Sequence, residues 1–144
     1  MKKNAFIKQL DHPVIEAAIA RAESGTSGEI RVLVLHEPAA DPVPAAQAAF
    51  ARLGMEKTRE RNAVLLFVAP ESQTFAVIGD TGVHAKCGQE FWNEMAGAMS
   101  GCFRRGEFTA GLLAGIERAG HLLATHFPRL PDDRDELPNR VVEQ

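Results

Sequence analysis

The chain has 144 residues, of which 45% are hydrophobic and 24% are charged, and its formal net charge is −3. This length fits one domain with its own core, and the composition is that of a globular protein rather than a disordered one. The acidic balance argues against nucleic-acid binding, because that affinity depends on a basic surface that neutralises phosphates.

The apolar stretches, the amino terminus and the cysteines of the sequence indicate where the protein is located. No stretch reaches the roughly 18 uncharged apolar residues of a membrane span, and the lysines near the amino terminus are followed by no apolar run, so no secretory signal is predicted. Cys87 and Cys102 have neither metal-type nor redox-type spacing. We therefore expect a cytoplasmic protein with two reduced thiols.

The first half of the chain predicts a helix, a strand and a second helix. Asp11 and Pro13 begin a helix with apolar residues at helical spacing, and the glycine-containing segment 24–28 ends it. Residues 29–35 predict a strand that is apolar on both faces and therefore covered on both sides. A helix then begins at Asp41 and ends at Gly54.

The second half predicts a hairpin followed by two helices. Residues 63–69 are consecutive apolar residues and predict a central strand, and residues 74–79 predict its hairpin partner. Helices are expected over 90–100 and 108–127. Residues 1–130 are predicted to form a single domain, and residues 131–144 an extended tail with prolines and an acidic cluster.

The resulting order of elements is α-β-α-β-β-α-α. It predicts an α/β, three-layer sandwich with helices on both faces of the sheet. The small mixed sheet would consist of a parallel β-α-β crossover plus a hairpin.

This topology brings three polar loops to one edge of the sheet, because parallel strands share their starts and a hairpin returns to the start of its first strand. Two carboxylates beside one arginine, with glycines that admit a ligand close to the backbone, fit a small cation or phosphate site. They equally fit a structural network of ion pairs that anchors the loops. The residues expected to meet there are Ser27, Gly28, Glu29, Arg61, Asn62, Asp80 and Gly82.

Three other groups of polar residues fit a site less well. Residues 36–41 lie at the opposite sheet edge, where parallel sheets commonly bind ligands. Asp80, His84 and Cys87 could ligate zinc, but a fourth ligand is missing. The carboxylates within 132–136 could attract calcium, although the segment is more typical of a solvated acidic tail.

Five segments of the sequence form a recognisable set when taken in order. They are 26–32 (TSGEIRV), 61–66 (RNAVLL), 78–82 (IGDTG), Phe91-Trp92 and 136–139 (ELPN). Together they resemble the TPM domain family, which implies an α/β sandwich with a central sheet between helices. Plant lumenal members are described as acid phosphatases and some members as calcium-binding, and this chain looks like the short, free-standing bacterial type.

The convergence of loops and the resemblance together give two functional hypotheses. The first is a metal-dependent, phosphatase-like enzyme in which Glu29 and Asp80 hold Ca²⁺ or another divalent cation, and Asp80 and Arg61 act in catalysis. The second is a non-catalytic accessory module that binds calcium or a protein partner. In both, the supporting loop residues are Ser27, Gly28, Asn62 and Gly82.

Overall fold

A computed structural model describes residues 3–129 and 139–144. It contains two short 3₁₀ turns, Met55–Lys57 and Pro70–Ser72. The acidic segment 132–136 lies outside the described residues. The helices and strands are α1 Lys3–Gln9, α2 His12–Glu23, β1 Glu29–Val34, α3 Pro42–Arg52, β2 Ala63–Ala69, β3 Thr74–Gly79, α4 Thr81–Arg104, α5 Phe108–His126 and β4 Val142–Glu143.

The described strands form one mixed sheet in the order β3-β2-β1-β4. Strands β1 and β2 are parallel and joined through α3, and β2 and β3 form an antiparallel hairpin. The predicted mixed sheet is therefore confirmed. Strand β4 was not predicted, and it pairs in parallel with β1 through Leu33 and Val34.

The sheet separates two layers of helices, as the sequence predicts. On one face α2, α4 and α5 pack over alternate residues of β1 and β2, and on the other face α3 packs over β2 and β3. All residues of β1 and β2 are buried, because each strand is covered from both sides.

The helices depart from the prediction in two places. Helix α1 was not predicted, and it exists because fully buried Phe6 stacks on Phe103 and Phe108 at ring-centroid distances of 5.8 and 4.9 Å. Helix α4 consists of two helical segments that meet at Gly88, and the second contains the predicted helix over 90–100. The first segment was not predicted, and it begins at Thr81 because Asp80 caps its first turn. Gly88 interrupts α4 with φ 74° and ψ −170°, a conformation that glycine adopts without a Cβ clash.

Among the described residues, no helix combines the length and hydrophobicity needed to cross a bilayer.

Candidate functional site

The strand register brings the three predicted loops to one edge of the sheet. Glu29 on β1 lies beside Ala63 on β2, and Val64 lies beside Gly79 on β3. The starts of β1 and β2 and the end of β3 are therefore aligned, and the loops that carry polar residues meet there. We call this the amino edge of the sheet.

An ion pair between Arg61 and Asp80 lies at the centre of the amino edge. The guanidinium donates from Nε to Oδ2 at 2.6 Å and from Nη2 to Oδ1 at 2.8 Å. The Asp80 side chain is 4% exposed and that of Arg61 is 47% exposed, so the buried carboxylate orients a cation that solvent can reach. The hydrogen bond to Asp80 raises the pKa of Arg61 above its ordinary value, and the guanidinium stays charged.

The backbone around this pair is folded tightly. Arg61 has φ 53°, in the left-handed region, and its carbonyl accepts a hydrogen bond from Gly82 N at 2.8 Å. A Cβ on Gly82 would lie 2.4 Å from the Glu60 carbonyl oxygen and 2.6 Å from that of Arg61. Only glycine permits this approach, which joins the start of α4 to the loop before β2.

A second set of contacts braces the loop before β1. Ser27 Oγ donates to Glu60 Oε2 at 2.5 Å and accepts from Asn62 Nδ2 at 3.1 Å. Glu29 N donates to the Asn62 carbonyl at 3.4 Å, and a Cβ on Gly28 would lie 3.2 Å from the same oxygen. This half of the predicted cluster acts in the structure as loop bracing.

A surface cavity of about 290 Å³ opens beside the Arg61–Asp80 pair. We call it the edge cavity. Glu56 contributes a carboxylate whose Oε2 is buried and has no hydrogen-bond partner among the described residues. The cavity is lined by Gln47, Phe50, Ala51, Glu56, Arg61, Ile78, Gly79, Asp80, Thr81 and His84.

The predicted site residues divide between these two features. Arg61 and Asp80 line the edge cavity, whereas Glu29 does not line it. Glu29 is 2% exposed, and Ala63 on β2 lies between it and the end of β3. The assignment of Glu29 and Asp80 as ligands of one cation stays a prediction.

The described residues contain no group of three or more His, Cys, Asp or Glu side chains placed to hold a metal ion. The zinc candidates Asp80, His84 and Cys87 are included in that search. Burial raises the pKa of the Cys87 thiol.

At the opposite, carboxyl edge of the sheet, β4 near the end of the chain pairs with β1. Glu143 on β4 receives His12 Nε2 at 2.5 Å and His36 Nε2 at 2.7 Å. The Gln144 carbonyl accepts from His36 N at 2.6 Å. Asp41 is the N-cap residue of α3, at the helix start that the sequence predicts, but its side chain makes no capping hydrogen bond.

Two titratable residues of the edge cavity, Glu56 and His84, were missed by the site prediction. Glu56 belongs to a charged connection with no periodic signal, and it reaches the cavity wall from a 3₁₀ turn. His84 was considered only for zinc. The aspartate-threonine pair at 80–81 is a helix-start signal that would have placed His84 one turn into α4, next to Asp80.

The fold and the edge cavity define an α/β sandwich domain with a cavity, lined in part by charged residues, at the amino edge of its parallel strands. Comparison with known proteins specifies the family. The TPM domain model matches residues 2–122, and the chain belongs to the TPM domain family. The resemblance found in the sequence is thereby confirmed.

Solved structures share the fold of this chain. The chain is similar to the BA42 protein from the psychrophilic bacterium Bizionia argentinensis, with 39% identity and a TM-score of 0.88 over 94% of this chain and 96% of that one. The N-terminal domain of the cg2496 protein from Corynebacterium glutamicum has 21% identity and a TM-score of 0.60 over 76% and 68% of the two chains. An N-terminal domain from P. gingivalis has 18% identity and a TM-score of 0.62 over 82% and 78%. No curated protein matches the chain.

Proposed function

We propose that this TPM-domain protein binds the phosphate group of a small phosphoester in the edge cavity and hydrolyses it with the help of a divalent cation. The observation that carries the proposal is the half-exposed guanidinium of Arg61, held at the cavity by a buried carboxylate. The family resemblance supports the same class of reaction.

Arg61 has the properties that phosphate recognition needs. A guanidinium carries five N–H donors, and the Asp80 pair engages Nε and Nη2, which leaves donors for a ligand. Because Asp80 fixes the side chain, little rotamer freedom is lost when phosphate binds. In this arrangement Asp80 acts as the residue that orients Arg61.

The residues of the cavity fit a divalent cation that is shared with the substrate. Glu56 Oε2 is a buried carboxylate oxygen without a hydrogen bond among the described residues, and a cation would satisfy it. Mg²⁺ commonly uses one or two carboxylates plus phosphate oxygens instead of a full protein cage, which agrees with the lack of a three-ligand group in the described chain. When bound, the cation would neutralise phosphate charge and polarise the phosphoryl group.

The test is hydrolysis of a phosphomonoester by the full chain with Mg²⁺, with Ca²⁺ and with chelator. We expect cation-dependent turnover that falls roughly 100-fold in Arg61→Gln, the cost typical of removing one donor that stabilises developing charge. Arg105→Gln is the matched control, since Arg105 also pairs with a carboxylate, at 2.9 Å from Glu107 Oε1, but lies away from the cavity. No cation-dependent turnover by the wild type would contradict the proposal.

A second candidate is a non-catalytic module that binds calcium or a protein partner. Both carboxylate oxygens of Asp80 already accept hydrogen bonds, from the Arg61 guanidinium and from the Thr81 backbone. This favours the second candidate, because no carboxylate oxygen of Asp80 is left free to attack a phosphorus atom. Saturable cation binding without turnover of any phosphomonoester would favour this candidate over the enzyme.

A further inference from the structure

Helix α4 brings His84 and Trp92 together through a break in its own backbone. Residues eight apart on a straight α-helix are separated by about 12 Å along the axis. Here the imidazole and indole ring centroids are 4.8 Å apart. The break lies between them, at Gly88, where φ is 74°. The kink at Gly88 therefore brings Trp92 to the first turns of α4.

The indole is held in place from two other sides. Phe91 packs edge-to-face on it at 4.5 Å between ring centroids. A Cβ on Gly79 would lie 2.2 Å from Trp92 Cη2, so the indole occupies the space that a side chain at residue 79 would need. Gly79 also lines the edge cavity, so Trp92 packs against a residue that forms the wall of that cavity.

The hydrogen bond between the two rings determines where the imidazole hydrogen lies. Trp92 Nε1 donates to His84 Nδ1 at 3.2 Å. Indole nitrogen is only a donor, so Nδ1 must present its lone pair. A neutral imidazole with an unprotonated Nδ1 carries its hydrogen on Nε2. His84 lines the edge cavity, and Nε2 is its remaining ring nitrogen.

We propose that Trp92 is a positioning residue that holds His84 as the Nε2–H tautomer, so that His84 donates a hydrogen bond to an anionic ligand in the edge cavity. The ligand class is a phosphate oxyanion, and this part of the inference rests on the proposed function. His84, in the first turn of α4, and Arg61, in the loop before β2, then supply donors to the same ligand. In this tautomer His84 Nε2 is not available as a general base.

The tautomer is tested without any ligand. Trp92 is the only tryptophan of the chain, so the protein gives one indole N–H signal in a ¹⁵N-labelled NMR spectrum. We expect His84 to show an unprotonated Nδ1 and a protonated Nε2, and we expect His84→Leu to move the indole signal. The opposite tautomer, or an indole signal unaffected by His84→Leu, would overturn the inference.

The role of the backbone break is tested by two alanine variants of the same helix. A Cβ on Gly88 or on Gly97 would meet no atom within 4 Å, but only Gly88 has a positive φ. Gly88→Ala should shift the indole signal and remove the tautomer preference of His84, and Gly97→Ala should change neither. Equal spectra for the two variants, both folded by circular dichroism, would show that the break does not position Trp92.

The donor role is tested by titrating inorganic phosphate in the presence of Mg²⁺. His84→Leu should weaken binding about tenfold, as expected for a lost hydrogen bond to a charged group. His84→Gln, which retains an N–H donor, should stay within about threefold of the wild type, and Trp92→Phe should weaken binding by about threefold through lost orientation. If the wild type binds phosphate and His84→Leu binds equally well, only this inference fails. If the wild type binds no phosphate, the proposed function and the donor role fail together.

Discussion

The two edges of the sheet carry similar residue types but use them differently. At the carboxyl edge, one carboxylate, Glu143, receives both His12 and His36, and the chain end closes the sheet by pairing with β1. At the amino edge, the Arg61–Asp80 pair borders a cavity that Glu56 also lines, and a buried oxygen of Glu56 has no hydrogen-bond partner among the described residues. Charged groups at the carboxyl edge pair with one another, whereas those at the amino edge still have hydrogen-bonding atoms that a ligand could use.

This difference runs against the general preference of parallel sheets. Ligands usually bind outside the carboxyl ends of parallel strands. In this fold β4 and Gln144 pair with the carboxyl-terminal end of β1, and Glu143 binds His12 and His36 there. The hairpin brings the start of α4 to the amino edge, with Asp80 as its cap. We therefore infer a ligand site at the amino edge, where the edge cavity lies.

The largest expected effect comes from closing the tight approach at the amino edge. Gly82→Ala places a Cβ 2.4 Å from the Glu60 carbonyl oxygen, and the backbone there cannot yield without moving Arg61. We expect a loss of about 2 kcal/mol in the free energy of unfolding, as for other overpacked sites. Urea denaturation measures it. Gly97→Ala, in the open part of the same helix, is the control, and equal stabilities of the two variants would contradict the account.

The next effect separates the charge of Asp80 from its capping role. Asp80→Ala loses the hydrogen bond from Thr81 N at 2.7 Å and should lower the free energy of unfolding by about 1 kcal/mol through the cap alone. Asp80→Asn keeps an oxygen for that bond but loses the charge that orients Arg61. We expect Asp80→Asn to be the more stable of the two, yet to bind phosphate as weakly as Asp80→Ala. Normal phosphate binding by Asp80→Asn would separate the ion pair from the site.

At the carboxyl edge, the expected effect is confined to stability. Glu143→Gln removes the negative charge shared by His12 and His36 and retains one oxygen acceptor. We expect a loss of about 0.5 kcal/mol, the lower range for one hydrogen bond, and unchanged phosphate binding. A change in phosphate affinity comparable to that of Asp80→Asn would remove the distinction between the two edges.

The smallest effect concerns the thiol of Cys87, on α4 just before the helix break. Burial raises its pKa above the ordinary value, so less of the reactive thiolate is present at a given pH. Alkylation of Cys87 by iodoacetamide at pH 8 should be slower than that of a free cysteine, and its rate should still be rising above pH 9. A rate equal to that of free cysteine at pH 8 would show that the start of α4 is open to solvent.

The elements with strong periodic signals could be predicted from the sequence. The apolar run at 63–69 and its partner at 74–79 agree with β2 and β3 residue for residue, and the meeting of loops at the amino edge follows from their pairing. Helix α1 and strand β4 could not be predicted, since each depends on tertiary contacts of a few residues, such as Phe6 with Phe103 and Glu143 with His36.

The site could be predicted only in part for a related reason. Arg61 and Asp80 were identified because strand ends place them, and strand ends can be derived from topology. Glu56 and His84 reach the same cavity through a 3₁₀ turn and a broken helix, and neither has a hydrophobic pattern that fixes its direction. The contact of Trp92 with His84 spans the break in α4 at Gly88, which helical periodicity does not predict.

The most direct test of the edge cavity as a ligand site is an amide NMR titration of the ¹⁵N-labelled chain with Mg²⁺ and inorganic phosphate. The account predicts saturable shifts at Glu56, Arg61, Asp80, Thr81 and His84, where the cavity is lined. Shifts confined to the carboxyl edge or to residues 132–136, or the absence of shifts up to millimolar concentrations of both ions, would contradict it.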